Sequence, residues 1–407
     1  MKIGILLNDI GSPKQGGGWT FKKEFFESLQ HYASQYDFSV YIKGEQETAK
    51  KLAPYAEIID LSSYDKPSVK IYLRGKYWLL RLLNLFLSIF SSKTKIHFDH
   101  ISPLTLAFQN HPVDFLIVFP YQQVPDMIPY AYIHWDCGPW ELPEFPEMAC
   151  RRKLFQNQIS FNLRYATCVI TGTETGKIQL ISLLGLTPDR VLVVPFPIPQ
   201  LASYPSEWRM QKKYEHPVLF YPAQFWPHKN HITILKALYI LRKKYNLNFD
   251  LVLSGADMGN FEYIRSTVQK LELSDCVHFP GSVSAEELHL FYDIAFAMIY
   301  ASCFGPDNLP PLEAASTGCP VIIADYPGAR EQMKDCALYF DTLDADDLAE
   351  KIYQLSNSPD LRCKIISEGK KLTSLHRDYV GTVIEKIRPF LQKRILWKTT
   401  NESDILT

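Results

Sequence analysis

The sequence predicts an α/β protein of two doubly wound domains facing a shared cleft. Apolar, strand-like runs alternate with helical patterns along most of its 407 residues, the signature of βα units and parallel sheets. That length exceeds what one ordinary core fills and suits two. Between the halves, "PFPIPQLASYPSEWRMQKKYEHP" (Pro195 to Pro217) is proline-rich and carries no period of its own, as a linker would.

In the first half "KIGILLN", "DFSVYIK", "DFLIVFP", "AYIHW", "TCVITG" and "RVLVVPF" read as strands. In the second, "VLFYPA", "FDLVLSG", "CVHFPG", "IAFAMIY" and "PVIIAD" do the same. Helical spacing marks "ITILKALYILRKKY", "NFEYIRSTVQKL", "AEELHLFYD" and "DADDLAEKIYQLSN". The expected division is 1–198 and 199–382, with a last helix at 383–407 packing back on the first domain. Ligands of such folds bind outside the carboxyl ends of the strands.

Composition narrows the function. Hydrophobic residues at 46% and charged residues at 21% describe a globular chain. A formal net charge of -1 argues against a general nucleic-acid partner. Eight cysteines include no CxxC pair and no zinc-ligand spacing with histidine, so free thiols in a reducing cytoplasm are expected. "MKIGILLNDI" lacks the long apolar run and small-residue cleavage site of a signal peptide and reads as a first strand. "KYWLLRLLNLFLSIF" (Lys76 to Phe90) is shorter than the ~20 residues a spanning helix needs. It reads either as a buried helix or as an interfacial helix at the inner face of a membrane, anchored by Trp78.

The chemistry concentrates in "GPDNLPPLEAASTGCPV", Gly305 to Val321. It follows the apolar strand "IAFAMIYAS" and predicts a helix from about Leu309, with Asn308 as N-cap and Pro310 and Pro311 in the first turn. A helix start aimed into a cleft favours an anion, phosphate above all. Glu313 either holds ribose hydroxyls or merely complements the helix dipole. In "FYPAQFWPHKNH", Lys229 follows a strand directly and either meets a diphosphate or is a solvated surface lysine. The glycines at 16–18 lie between the first strand and first helix, where backbone can approach a ligand closely.

Together these patterns resemble the donor domain of the retaining GT-B glycosyltransferases of family 4. The family's "EGFGLPPLEAMACGTPV" motif is matched here from Leu309 through Val321, and the likeness covers most of 217–380. The resemblance implies that Glu313 holds the nucleotide ribose and Lys229 balances the donor diphosphate. It implies that the backbone amides of Asp307, Asn308 and Leu309 cradle phosphate and sugar, and that Gly17 and Gly18 form the loop at the donor–acceptor junction. "AYIHWDCGPWELPEFPE" resembles a family segment whose histidine orients sugar or acceptor, which points to His134, with Trp135 and Asp136 beside the acceptor. Glu174 and Lys177 match a further segment.

Two departures stand out. Gly305 occupies the place of the family's first motif glutamate, a sugar contact, for which Asp307 is the nearest substitute in sequence. Gln224 replaces the arginine of the phosphate loop, and His228 or Arg330 are the candidates to restore that charge.

The implied activity is metal-independent transfer of a hexose or deoxyhexose, with retention, from a nucleotide-diphosphate sugar. The acceptor would be a glycan or lipid-linked glycan in surface polysaccharide biosynthesis. His134, Lys229 and Asn308 are the catalytic candidates, and no cofactor is expected. The rival readings are a non-catalytic or epimerase-like GT-B protein and a dehydrogenase, which would need a GxGxxG after a strand that this chain lacks.

Overall fold

A computed structural model describes residues 1–11, 16–69, 102–125, 128–211, 214–375 and 378–403, together with 71, 75, 78, 79, 82 and 83. Most of the 76–90 segment therefore lies outside the described residues. Of its described positions, Trp78, Leu79, Leu82 and Leu83 are exposed. No helix among the described residues is long and apolar enough to cross a membrane.

Two parallel sheets carry the fold. The first is built from β1 (Lys2–Leu6), β2 (Asp37–Ile42), β3 (Glu57–Asp60), β4 (Phe115–Val118), β5 (Tyr130–Ile133), β6 (Cys168–Thr171) and β7 (Val191–Val193). Its spatial order is β3-β2-β1-β4-β5-β6-β7. The second contains β8 (Val218–Pro222), β9 (Asp250–Ser254), β10 (Val277–Gly281), β11 (Ala295–Tyr300), β12 (Val321–Ala324) and β13 (Ala337–Phe340), ordered β10-β9-β8-β11-β12-β13. Both are doubly wound, α/β and Rossmann-like. Each reverses direction once, between β1 and β4 and between β8 and β11, and a crevice opens at such a switch point.

The apolar runs form strands because helices cover both faces, so almost every central position is buried. β3 and β13 were not among the expected strands. Both are four-residue edge strands with only partial burial, and the short alternating signal they carry is weak.

The Tyr379–Ser403 helix returns to the first domain. Tyr379, Val380, Val383, Ile384 and Ile387 join Phe21, Phe25 and Phe26 of the Gly17–Leu29 helix in one buried cluster. Asp378, just before it, accepts from Ser28 Oγ at 2.9 Å and from the Tyr32 hydroxyl.

Candidate active site

The carboxyl ends of both sheets open onto one cleft, which contains two spaces. The larger, about 500 Å3, is lined from the second domain by Ala223, Gln224, Ser254, Gly255, Val283 and Glu313. Gly16, Gly17, Thr20 and Glu24 close it from the first domain. The smaller, about 160 Å3, lies at the start of the Leu309–Thr317 helix among Trp135, Asp136, Arg151, Lys229, Gly305 and Asn308.

Glu313 is the fifth residue of its helix, one turn past Leu309. The i, i+4 spacing puts the two on one face. Leu309 packs into the first domain's core, and Glu313 reaches the larger cavity. Its Oε2 accepts the Tyr292 hydroxyl at 2.8 Å. Burial pushes its pKa up to about 7, against the lowering effect of Tyr292, and nearby Glu24 adds a small upward push. Glu24 itself is raised by burial, and its Oε1 accepts the Gln200 amide at 3.2 Å. Sequence reading missed Glu24, which lies on an ordinary helical face in a stretch with no motif.

Asn308 occupies the N-cap position, but its side chain does not cap. Its Oδ1 accepts the Tyr300 hydroxyl at 2.7 Å, and its Nδ2 donates to Gly305 O at 2.7 Å and to the Tyr326 hydroxyl at 2.9 Å. The Asn308 amide donates to Gln332 Oε1 at 3.2 Å. Two further donors of the first turn are absent because Pro310 and Pro311 have no N–H. Of the three amides expected to form an anion cradle, that of Asn308 is thus engaged within the protein.

Asp307 is engaged elsewhere too. Its Oδ2 accepts the Phe196 amide at 3.1 Å across the domain boundary, and its Oδ1 accepts from Gln332 Nε2. Asp307 also lines the smaller space, with its carboxylate engaged by these two partners. A Cβ at Gly172 would overlap this carboxylate, so the close approach needs glycine there.

Lys229 lies between Tyr300 and Ser302 at the carboxyl end of β11, donating to their hydroxyls at 3.2 and 3.3 Å. Its ammonium is 5.3 Å from the centre of the Tyr300 ring. Among the described residues it has no ion-pair partner.

His228 is buried, and its backbone and ring both face Glu147 of the first domain, with Nδ1 2.6 Å from Oε1. Burial and the charges of Lys229 and Arg151 hold its pKa far below the usual histidine range. Nδ1 carries the proton of this contact, because a carboxylate only accepts. His228 is thus committed to Glu147. Arg330 is committed to Asp325, at 2.7 Å, outside both spaces.

His134 does not reach the cleft. It follows β5 on the opposite side from the smaller space and is buried with Trp140 and Phe155, their ring centres 5.9 and 6.5 Å away. Burial lowers its pKa to about 4, which makes it a neutral core residue. Successive side chains alternate across an extended chain, so the neighbour Trp135 takes the cleft side. Trp135 packs on Phe21 at 5.6 Å. Asp136 also lines the smaller space. Its Oδ1 accepts the Gly138 amide at 3.0 Å, and burial raises its pKa against the pull of Lys229 and Arg151.

Gly17 opens the first helix at the larger cavity, and Gly18 lies against the Trp135 ring. Gln224 lines the larger cavity and accepts from Trp226 Nε1 at 3.0 Å. The backbone amides of Glu174 and Thr175 are held by Glu331 of the other domain at 2.6 and 3.0 Å. Lys177 lines neither space. No group of three or more His, Cys, Asp or Glu side chains converges as metal ligands among the described residues.

With this geometry in view, residues 206–372 match the family model described as Glycosyl transferases group 1. The match covers most of the domain built on the second sheet, which is similar to that family. The chain is 26% identical over 219 residues to the O-antigen chain mannosyltransferase RfbU of Salmonella typhimurium, covering 53% of this chain and 58% of that one. It spans little more than half the length of the curated relatives it matches. Sucrose-phosphate synthase from Thermosynechococcus elongatus superposes with a TM-score of 0.69 at 16% identity, over 98% of this chain and 99% of that one. HepE of Anabaena, solved with UDP-glucose, does so with a TM-score of 0.67 at 15% identity, over 96% and 99%. At such identities these structures share the fold.

Proposed function

We propose that the protein is a retaining glycosyltransferase, moving a hexose or deoxyhexose from a nucleotide-diphosphate sugar to a glycan or lipid-linked glycan in surface polysaccharide biosynthesis. One observation carries the reading. A lysine without an ion-pair partner among the described residues and the start of the Leu309–Thr317 helix share a small space beside a larger cavity that holds Glu313. The mannosyltransferase relative supports the polysaccharide assignment.

In this reading the nucleoside occupies the larger cavity, with its ribose hydroxyls donating to Glu313. The diphosphate lies between Lys229 and the Leu309 amide. As the anomeric C–O bond breaks, its electron pair moves to the diphosphate, and these groups stabilise the growing charge. The acceptor hydroxyl attacks the same face, and its proton passes to the departing phosphate oxygen. No step in this scheme calls on a metal. The two domains exclude water from the reacting sugar.

The test is hydrolysis and transfer measured across a panel of nucleotide-sugars. Lys229→Ala should lower kcat/KM by about a hundredfold, the usual loss when one charge-stabilising group is removed, and Glu313→Ala by about tenfold, the size of a lost hydrogen bond to a charged group. If wild type binds no nucleotide-sugar, or both variants keep full activity, the proposal fails.

A further inference from the structure

The donor loop has a neutral residue, Gln224, where a second cation for a diphosphate is expected. Its Oε1 is already occupied by the Trp226 indole N–H at 3.0 Å. Above the Trp226 ring, 5.8 Å from its centre, lies a guanidinium from the other domain, that of Arg151. Arg151 belongs to the last turn of the Pro146–Leu154 helix and reaches the same 160 Å3 space as Lys229 and Asn308.

The other candidates for this charge are committed, as His228 is bonded to Glu147 and Arg330 is paired with Asp325. Arg151 and Lys229 have no ion-pair partner among the described residues. Both cations line one space with His228 and Asp136.

We propose that Arg151 supplies the second positive charge on the donor diphosphate, reaching across the cleft to replace the cation that Gln224 cannot provide. The inference rests on the glycosyltransferase reading above. A guanidinium presents a planar fork to two non-bridging phosphate oxygens, whereas Lys229 acts as a point charge. The two cations belong to different domains, and Asp136 in the same space faces both. A diphosphate bridging them ties the domains together, and a nucleoside in the larger cavity does not.

The experiment is calorimetric titration with UDP, GDP, ADP, CDP and dTDP, followed by comparison of the tightest-binding diphosphate with its nucleoside. Arg151→Ala should weaken the diphosphate by about tenfold or more, the size of a lost charge-assisted contact. Nucleoside affinity should stay within about twofold, since that ligand makes no phosphate contact. Arg151→Glu should weaken the diphosphate further than alanine does, and Arg152→Ala, one residue along and outside both spaces, should change neither ligand. Equal diphosphate affinity in wild type and Arg151→Ala, or a parallel loss of nucleoside affinity, would overturn the assignment. Failure of the underlying function looks different: the wild-type protein then binds no diphosphate at all.

Discussion

Glu313 is a carboxylate in a buried place, and its protonation should be visible. Burial raises its pKa from an ordinary 4.5 to about 7. The folded protein therefore holds this proton more tightly than the unfolded chain does. The stability it contributes is complete below pH 4.5 and is lost as pH rises through 7. Thermal midpoints of wild type and Glu313→Gln, compared between pH 5 and pH 8, should show wild type losing ground as pH rises. Nucleoside affinity should move the opposite way, rising through pH 7 because the carboxylate is the better acceptor for ribose hydroxyls. The glutamine variant should give a flat profile, and an equally flat wild-type profile would contradict the role given to Glu313. At the same scale, His134 shows how far a motif can carry a residue. Its place beside a cleft-lining segment was legible, but the side of the chain it faces was not. Core packing against Trp140 and Phe155 decided that.

Among elements, the Glu174–Leu184 helix has its first amides bonded to Glu331 of the opposite domain. Thr173 caps the same helix from within, accepting the Gly176 amide at 3.0 Å. Glu331 is thus a cap supplied in trans, placed where a helix start favours negative charge. Glu331→Ala should cost about 1 kcal/mol, as N-cap losses do, and should loosen the domains. The measurement is small-angle scattering, with an increased radius of gyration expected for the variant. An unchanged radius and an unchanged denaturation midpoint would show that the contact holds nothing. The Leu309–Thr317 helix was legible as an element, with its boundary, its prolines and its N-cap position. Its hydrogen bonding was not, because Gln332, Tyr300 and Tyr326 come from other elements and compete for Asn308.

At the scale of the molecule, the last helix completes a core that the first domain's own elements leave open. Ile387 is fully buried against the aromatic cluster of Phe21 and Phe25. Ile387→Ala should therefore destabilise the first domain by about 2 kcal/mol or more, with urea denaturation followed by circular dichroism as the measurement. A midpoint equal to wild type would mean that this helix contributes little. Carboxylates also cross the boundary, among them Glu147 to His228, Asp307 to the Phe196 amide, and Glu331 to Glu174 and Thr175. These three accept backbone N–H groups, so hydrogen bonds help to specify closure here.

What the sequence determined by itself was local and periodic. Alternating apolar runs specify buried parallel strands, prolines specify a helix start, and the ordered motifs of residues 217–380 carry the likeness to a glycosyltransferase domain. What only the tertiary structure decided was which side chains converge. Arg151 and Glu24 sit on helices with no motif, and their meaning comes from Lys229 and Glu313 on the facing domain. Asn308 and Asp307 stand at the expected position but spend their polar atoms on neighbours from other elements. Periodicity and capping act over a few residues, whereas a cleft is assembled from two domains whose contacting residues lie far apart in the chain.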